Sequence, residues 1–274
     1  MAVSPVWAYL GPLGAMQTFD VTPGVQVAPA RPSSTLVTMG GRQYTQYAPR
    51  APRSWACNVN AATPTQLAYA TALAQGAVAG DLYLLTSDAL STNMLPPHLA
   101  SPGMGGDTTL GAVSASAVLV DTTPMTGAAG ATAAGAWSPI IPVRASVKLA
   151  LACWIATTVT LSTGTPVLNW RTVDASGATL ASGNAGRQSG VLRAAGLFTP
   201  GSTAVGLQIR IAASLASVFV GGIRLLETPT DPGGTWLPGR GVGTVVLDDP
   251  QETLNFLLTS GPVSDYTFTI HEEG

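Results

Sequence analysis

The chain has 274 residues, of which 46% are hydrophobic and 9% charged, so it holds ample material for a core and is not kept disordered by charge. Its formal net charge is −2, and its twelve lysines and arginines are scattered, which argues against a basic face that binds nucleic acid. The 31 glycines and 21 prolines favour short strands and turns over long helices.

No stretch of the sequence predicts a secretion signal or a membrane span. Residues 1–19 have no basic segment, and prolines and glycines interrupt their apolar run. The longest apolar stretch, residues 149–161, is shorter than the roughly 18 residues that a spanning helix needs. We therefore expect a soluble chain without membrane insertion.

The first hundred residues predict a small β-rich domain. A Gly-Gly corner at residues 40–41 separates two strand-like runs, residues 34–39 and 42–47, and predicts a hairpin because glycine adopts the positive φ of tight turns. Residues 53–59 alternate between apolar and polar side chains, which is the period of a half-buried strand. The predicted buried face of that strand consists of Trp55, Cys57 and Val59.

One helix in this domain has a clear beginning and end. Thr63 is a suitable N-cap, Pro64 occupies the first helical position, and Gln66 completes a Thr-x-x-Gln capping box. Gly76 follows the last helical residue. A strand is predicted next, over residues 81–85.

The middle of the chain predicts a β-sandwich. We expect an irregular exit from the first domain at residues 91–97 and a linker at residues 99–106. A surface loop is expected at residues 127–136, which are rich in alanine and glycine. About eight strands with regular turns indicate a sandwich or jelly roll. These strands are predicted at residues 113–120, 146–155, 159–161, 167–173, 179–181, 191–198, 204–211 and 215–226.

Three last strands are predicted to return to the first domain. They cover residues 243–247, 253–258 and 266–271. The predicted fold class is therefore mainly β: a small α+β core domain with one helix, formed by residues 1–100 and 235–274, and an inserted β-sandwich from about 107 to 230.

Metal and nucleophile chemistry finds little support in the sequence. His98 and His271 have no Cys or His at the spacing of metal ligands. Cys57 and Cys153 lie in different predicted domains, so we expect buried free thiols and not a disulfide. Residues 239–243 contain three glycines but lack the GxGxxG order, and a strand follows them, so a flexible beginning of that strand is expected.

An acidic cluster and the tryptophans complete the candidates. Asp248, Asp249 and Glu252 could hold calcium or act as a glycosidase pair, but solvated carboxylates on a turn are favoured. Trp154 and Trp170 lie in predicted strands and are expected to fill the sandwich core. The tryptophans near loops, Trp137 and Trp236, are the candidates for a contact surface. We expect no catalytic residue, metal or cofactor.

Several short motifs resemble those of minor tail proteins of siphophages that infect actinobacteria. In the first and last parts they are residues 8–14 (AYLGPLG), 53–55 (RSW), 63–76, 80–85 (GDLYLL), 92–96 (TNMLP), 236–242 (WLPGRGV) and 266–273. Residues 139–143 (PIIPV), 168–177 and 218–222 (VFVGG) look like the carbohydrate-binding-module jelly rolls that such proteins carry.

The resemblance implies a virion protein akin to distal tail proteins, made in the cytoplasm of a bacterial host. Its core domain would form a homo-oligomeric ring, three-fold or six-fold, between the tail tube and the baseplate hub, near the tape measure protein. The inserted sandwich would point outward and could contact a host surface glycan. No sugar-contact motif transfers to named residues.

Two other functions stay open at this point. One is a carbohydrate-binding module protein that is not part of a virion, and the other is a polysaccharide-cleaving tail enzyme. The lack of a signal peptide argues against the first, and the lack of paired carboxylates at a strand end argues against the second. A monomer whose loops cover its own sheet edges is the alternative to the ring.

Overall fold

The computed structural model describes residues 7–19, 26–29, 33–47, 52–103, 107–231, 233, 235–258 and 261–273. Its first elements are β1 (Ala8–Pro12), β2 (Gln17–Phe19), β3 (Gln26–Pro29), β4 (Ser33–Val37), β5 (Gln43–Tyr47), β6 (Arg53–Ala62), α1 (Pro64–Ala74), β7 (Leu82–Thr86), α2 (Ser87–Thr92) and α3 (Pro97–Ala100). They are followed by β8 (Val113–Val120), β9 (Thr123–Ala129), β10 (Ile141–Pro142), β11 (Leu149–Thr157), β12 (Pro166–Val173), β13 (Thr179–Arg187), β14 (Arg193–Phe198), β15 (Gly206–Ile211), β16 (Val218–Glu227), β17 (Thr244–Leu258) and β18 (Gly261–Glu272). The mainly β fold class is confirmed.

The chain divides into two compact units. The first unit consists of Met1–Leu84 and Thr244–Gly274, and the second of Leu85–Gly243. The boundaries differ from the expected ones, because residues 85–100 and 235–243, expected in the core domain, belong to the second unit. Within it, α2 and α3 both pack on β16. That the core domain forms a ring and that the inserted sandwich points outward both stay predictions.

The first unit is built on a seven-stranded sheet with the order β2-β1-β7-β17-β18-β6-β3. The predicted alternation in β6 is confirmed, since Trp55, Cys57 and Val59 are buried. The returning strand β18 pairs antiparallel with β6, with Ile270 opposite Trp55 and Tyr266 opposite Val59. Each apolar side chain of β6 thus has a buried partner on the same face.

Helix α1 confirms the predicted capping box. The Thr63 hydroxyl oxygen accepts from the Gln66 backbone N–H at 3.3 Å, and the Gln66 side-chain oxygen accepts from the Thr63 backbone N–H at 3.2 Å. Gly76, at φ +64°, follows the helix in the left-handed region that favours glycine. The helix buries Ala70 and Leu73 and packs against β17 and β18.

The predicted turn at the acidic cluster is wrong, because β17 runs through it without ending. The register against β18 shifts between Asp248 and Gln251, which is a bulge inside one long strand. Pro250 lies at this bulge, where a residue without an N–H costs little, so proline here marks an irregularity and not a turn.

The second unit is a curled antiparallel sheet of the sandwich type, with the strand order β10-β15-β12-β13-β14-β11-β16-β9-β8. The central strand β11 is buried at every residue from Leu149 to Ile155, so both of its faces are covered. The expected strand at residues 159–161 is absent from this described stretch. Instead the Thr157 hydroxyl bonds to the backbone N–H and carbonyl of Val159, which turns the chain.

The alanine- and glycine-rich segment is only in part the surface loop that its composition predicts. Residues 130–136 form no helix or strand and are exposed or half-buried, as expected, but residues 127–129 belong to a strand. Residues 123–129 form β9, in which Gly127 and Ala128 are buried. A Cβ on Gly127 would lie 2.7 Å from a methyl carbon of Val118 and 3.0 Å from the Val220 carbonyl oxygen. The small residues therefore allow close approach of neighbouring strands, a role that composition does not reveal.

The predicted exit and linker are in part helical. Thr86 caps α2, since its hydroxyl accepts from the Ala89 backbone N–H at 3.2 Å. Leu99 and Ala100, expected in a linker, are buried in α3. Residues 104–106 lie outside the described part of the chain.

One buried asparagine joins three segments of the second unit. The Asn93 side-chain amide donates to the carbonyl oxygens of Ile223 and Leu237, each at 3.0 Å. Its side-chain oxygen accepts from the backbone N–H groups of Leu95 at 3.2 Å and Leu225 at 3.1 Å. Asn93 has no exposed surface, and both donors and both acceptor positions of its amide are used.

Glycines 239 and 241 pack against the same region, so the expected flexible beginning of a strand is wrong. The Gly241 N–H donates toward the carbonyl oxygens of Asn93 and Leu95, at 3.1 and 3.0 Å. A Cβ on Gly241 would lie 1.7 Å from the Met94 carbonyl oxygen, and one on Gly239 would lie 2.5 Å from that of Leu95. Only glycine fits so close to a neighbouring backbone.

We predict that Gly241→Ala destabilises the second unit by at least about 2 kcal/mol, because its Cβ would displace the Met94 backbone. The matched control is Gly201→Ala, where nothing lies within 4 Å of the added Cβ. The control is expected to change stability by no more than about 1 kcal/mol in either direction. Denaturant unfolding followed by tryptophan fluorescence measures both, and equal effects would contradict the packing argument.

Both cysteines are buried free thiols, as expected. Burial raises the pKa of Cys57 to about 12 and the pKa of Cys153 to about 12. Below that pH the thiols stay protonated and so lack the reactive thiolate.

We predict that Ellman's reagent at mildly alkaline pH labels neither thiol in the folded chain and both after denaturation. Rapid labelling of the folded chain would contradict this burial.

Candidate functional site

The two tryptophans predicted for a contact surface lie in different surroundings. Trp236 packs against the buried cluster of Val118, Val120 and Trp154, and its backbone N–H donates to the Asp121 carboxylate at 2.8 Å. Its indole N–H is buried and has no acceptor among the described residues. The Trp236 ring thus forms part of the core, which does not favour a contact role.

Trp137 lies along an outer strand of the same unit. The N–H of Gly135 donates to the Ile211 carbonyl oxygen at 3.1 Å, and that of Ser138 donates to the Ile209 carbonyl oxygen at 2.8 Å. These bonds place residues 135–138 beside β15, with Trp137 next to Arg210. Ser138 is buried, and its hydroxyl oxygen accepts from the Ile209 backbone N–H at 3.0 Å, whereas Trp137 is half-buried.

The strand register aligns polar side chains next to Trp137. Arg210 on β15 pairs with Asn169 on β12, which pairs with Asn184 on β13. Two residues away in the same strands, Gln208 pairs with Arg171. Residues two apart in a strand share a face, so these side chains form one surface. We call it the tryptophan–arginine face: Trp137, Asn169, Arg171, Asn184, Gln208 and Arg210.

Two guanidinium groups meet the ring of Trp137. The guanidinium carbon of Arg210 lies 4.2 Å from the ring centroid, and that of Arg171 lies 4.6 Å from it. Both distances are within the range of cation–π attraction. One aromatic ring therefore holds two positive charges on the same sheet face.

Hydrogen bonds fix the position of Arg171. Its Nε–H donates to the Gln208 side-chain oxygen at 2.9 Å, and the Gln208 amide in turn donates to the Ser138 carbonyl oxygen at 2.7 Å. One terminal N–H group of Arg171 lies 3.4 Å from the Thr179 hydroxyl. These neutral partners orient the guanidinium without neutralising it.

Neither arginine of this face forms an ion pair within the described residues. The arginines that do so are elsewhere: Arg53 with Glu272, Arg144 with Glu227, Arg193 with Asp231, and Arg240 with Asp88. The Nε–H of Arg210 is buried and has no acceptor in the part of the chain that the structure describes. The nearest acidic residue along β12, Asp174, accepts hydrogen bonds from Ser176 and Ala178 instead.

The sequence predicts Trp137 as a contact residue but not its polar neighbours. Asn169 and Arg171 alternate with apolar residues in β12, and Gln208 and Arg210 do so in β15. This alternation signalled a polar face on each strand. That the two strands are neighbours, in this register, depends on long-range pairing that the sequence does not reveal.

The histidines and acidic residues considered in the sequence do not come together in one site. Within the described ranges, no group of three or more His, Cys, Asp or Glu side chains could hold a metal ion. His98 is half-buried in α3 and His271 is exposed on β18. Asp248 and Glu252 are exposed, the Ser264 hydroxyl donates to the Glu252 carboxylate at 2.7 Å, and the side chain of Asp249 is outside the described set.

No helix of the described part of the chain has the length and apolar character to cross a membrane.

Comparison with known proteins gives no family. No protein-family model matches the chain, and no curated protein matches it. Among solved structures, it is similar to the crystal structure of an infectious bursal disease virus VP2 subviral particle. The sequences are 12% identical, the match covers 99% of this chain and 78% of that chain, and the TM-score is 0.22. A TM-score of this size does not indicate a shared fold.

Proposed function

We propose that this chain is a structural subunit of a siphophage virion, which forms a ring at the distal tail and links the tail tube to the baseplate hub. The motif resemblance described above suggests the tail. The observation that supports assembly is a hairpin of the first unit, formed by β4 and β5. In this proposal the protein has no catalytic activity and needs no cofactor.

The β4–β5 hairpin is a two-stranded sheet of its own and joins neither larger sheet within the described residues. Its register pairs Ser33 with Tyr47 and Val37 with Gln43, and Gly41 turns the corner at φ +76°, as predicted. A two-stranded ribbon alone is marginally stable in water. Its two free edges and faces suit coverage by a neighbouring subunit.

The side chains of this hairpin support the same interpretation. Its large apolar residues face solvent in the single chain: Leu36 is 67% exposed, Val37 63%, Tyr44 52% and Met39 fully exposed. No lysine, aspartate or glutamate lies between residues 33 and 47, and Arg42 at the corner is the one charged residue. An uncharged apolar ribbon of this kind is typical of a surface that is buried in an assembly.

The alternative is a carbohydrate-binding module protein that is not part of a virion. The tryptophan–arginine face favours it, since an indole beside amide and guanidinium groups is suited to polar ligands.

The two functions differ in where the protein is found. Antibody against the second unit should label the distal tip of purified phage tails if the proposal is correct. Labelling of the tube shaft or capsid, or of no particle, would reject the tail-tip position.

We predict that the double variant Leu36→Glu, Tyr44→Glu abolishes assembly of the purified chain, because two charges would be buried at the subunit interface. Light scattering after size-exclusion chromatography should give a ring mass for the unmodified chain and a monomer mass for the variant. The control is Leu119→Glu in the second unit, where the side chain is 63% exposed. A monomeric unmodified chain, or an unchanged oligomer of the double variant, would contradict the interface.

A further inference from the structure

We propose that the tryptophan–arginine face binds the anionic group of an acidic glycan, a sugar carboxylate or a sugar phosphate. This inference concerns the second unit only and does not depend on ring formation. It stands on three observations: two guanidinium groups without a carboxylate partner among the described residues, terminal N–H groups left over on both, and amide side chains beside them.

The charge arrangement indicates an anion. The two guanidinium carbons lie 4.2 and 4.6 Å from one ring centroid, so the two charges are at most about 8.8 Å apart and repel each other. The Trp137 ring offsets part of this repulsion, but no described carboxylate does. In a chain with only 9% charged residues, two arginines on one aromatic ring, without an ion-pair partner among the described residues, form a local positive field.

The open donors define the shape of the ligand group. The Nε–H of Arg210 is buried without an acceptor among the described residues, so its terminal N–H groups are the ones that can meet a ligand. Arg171 uses Nε for Gln208 and one terminal nitrogen for Thr179. The remaining N–H groups have the planar fork geometry that matches two oxygens of a carboxylate or phosphate. Since Trp137 and Gln208 already hold the guanidiniums, little side-chain freedom is lost on binding.

The surroundings favour a sugar as the carrier of that group. Asn169 and Asn184 continue the row from Arg210, and Ser182 pairs with Arg171. Amides and hydroxyls offer both donors and acceptors to sugar hydroxyls. Asn184 and Ser182 are exposed, and the other residues of the face are half-buried. A partly exposed strand surface suits a segment of a polymer better than an enclosed small molecule.

The test uses the full chain and three soluble polymers: a polyuronate, a phosphorylated dextran and a neutral dextran. Calorimetry at low salt should show binding to the polyuronate, the phosphorylated dextran or both, weakening as salt is added. Preference between the two identifies the anion as carboxylate or phosphate. Absence of binding to both, or equal binding to dextran, would overturn the proposal.

The variants Arg210→Gln and Arg171→Gln should each reduce affinity for the bound polymer by roughly tenfold or more, the usual effect of losing a charge-assisted hydrogen bond. The control is Arg187→Gln, which removes the same charge from the neighbouring strand β13. An equal loss in the control would show general charge attraction and overturn the site. Thermal unfolding checks that each variant is folded. The mass of each variant, measured by light scattering, tests ring formation separately.

Discussion

The second unit depends on the hydrogen bonds of one buried side chain, that of Asn93. Its partners Ile223 and Leu237 lie 130 and 144 residues further along the chain, so the side chain joins the beginning of the unit to its last strand and its end. Every polar group of the amide is used, and replacement would leave buried backbone groups of three segments without partners. The close approach of Gly241 to Met94 exists because the same segments are held together here.

Charges in this unit are used in two different ways. Arg193 is buried and pairs with Asp231, and the hydrogen bond from Arg193 lowers the pKa of that carboxyl group. Arg224 is also buried and donates to the carbonyl oxygens of Thr92 and Thr235, while burial lowers its pKa. These arginines connect segments. Arg171 and Arg210 are instead half-buried on one sheet face and have no carboxylate partner among the described residues, which distinguishes them from the structural arginines.

The parts that the sequence predicts correctly are those that local physics determines. The capping box of α1, the alternation of β6 and the glycine corner of the β4–β5 hairpin each depend on residues within a few positions of one another. The errors concern features fixed by distant partners. Gly127 belongs to a packed strand because Val118 and Val220 approach it, and the bulge at Pro250 is defined only by the register of β18. The tryptophan–arginine face was missed for the same reason.

The two proposed contact surfaces lie in different units of the chain, the hairpin in the first and the tryptophan–arginine face in the second. The hairpin is apolar and almost uncharged, so its association would depend on removal of surface from water and resist salt. The face carries two positive charges, so its association would weaken as salt screens them. Because salt would weaken contact at only one of the two surfaces, the proposed assembly and the proposed ligand contact would be separable properties of one chain. Sequence change in the face would then alter the ligand without altering the ring.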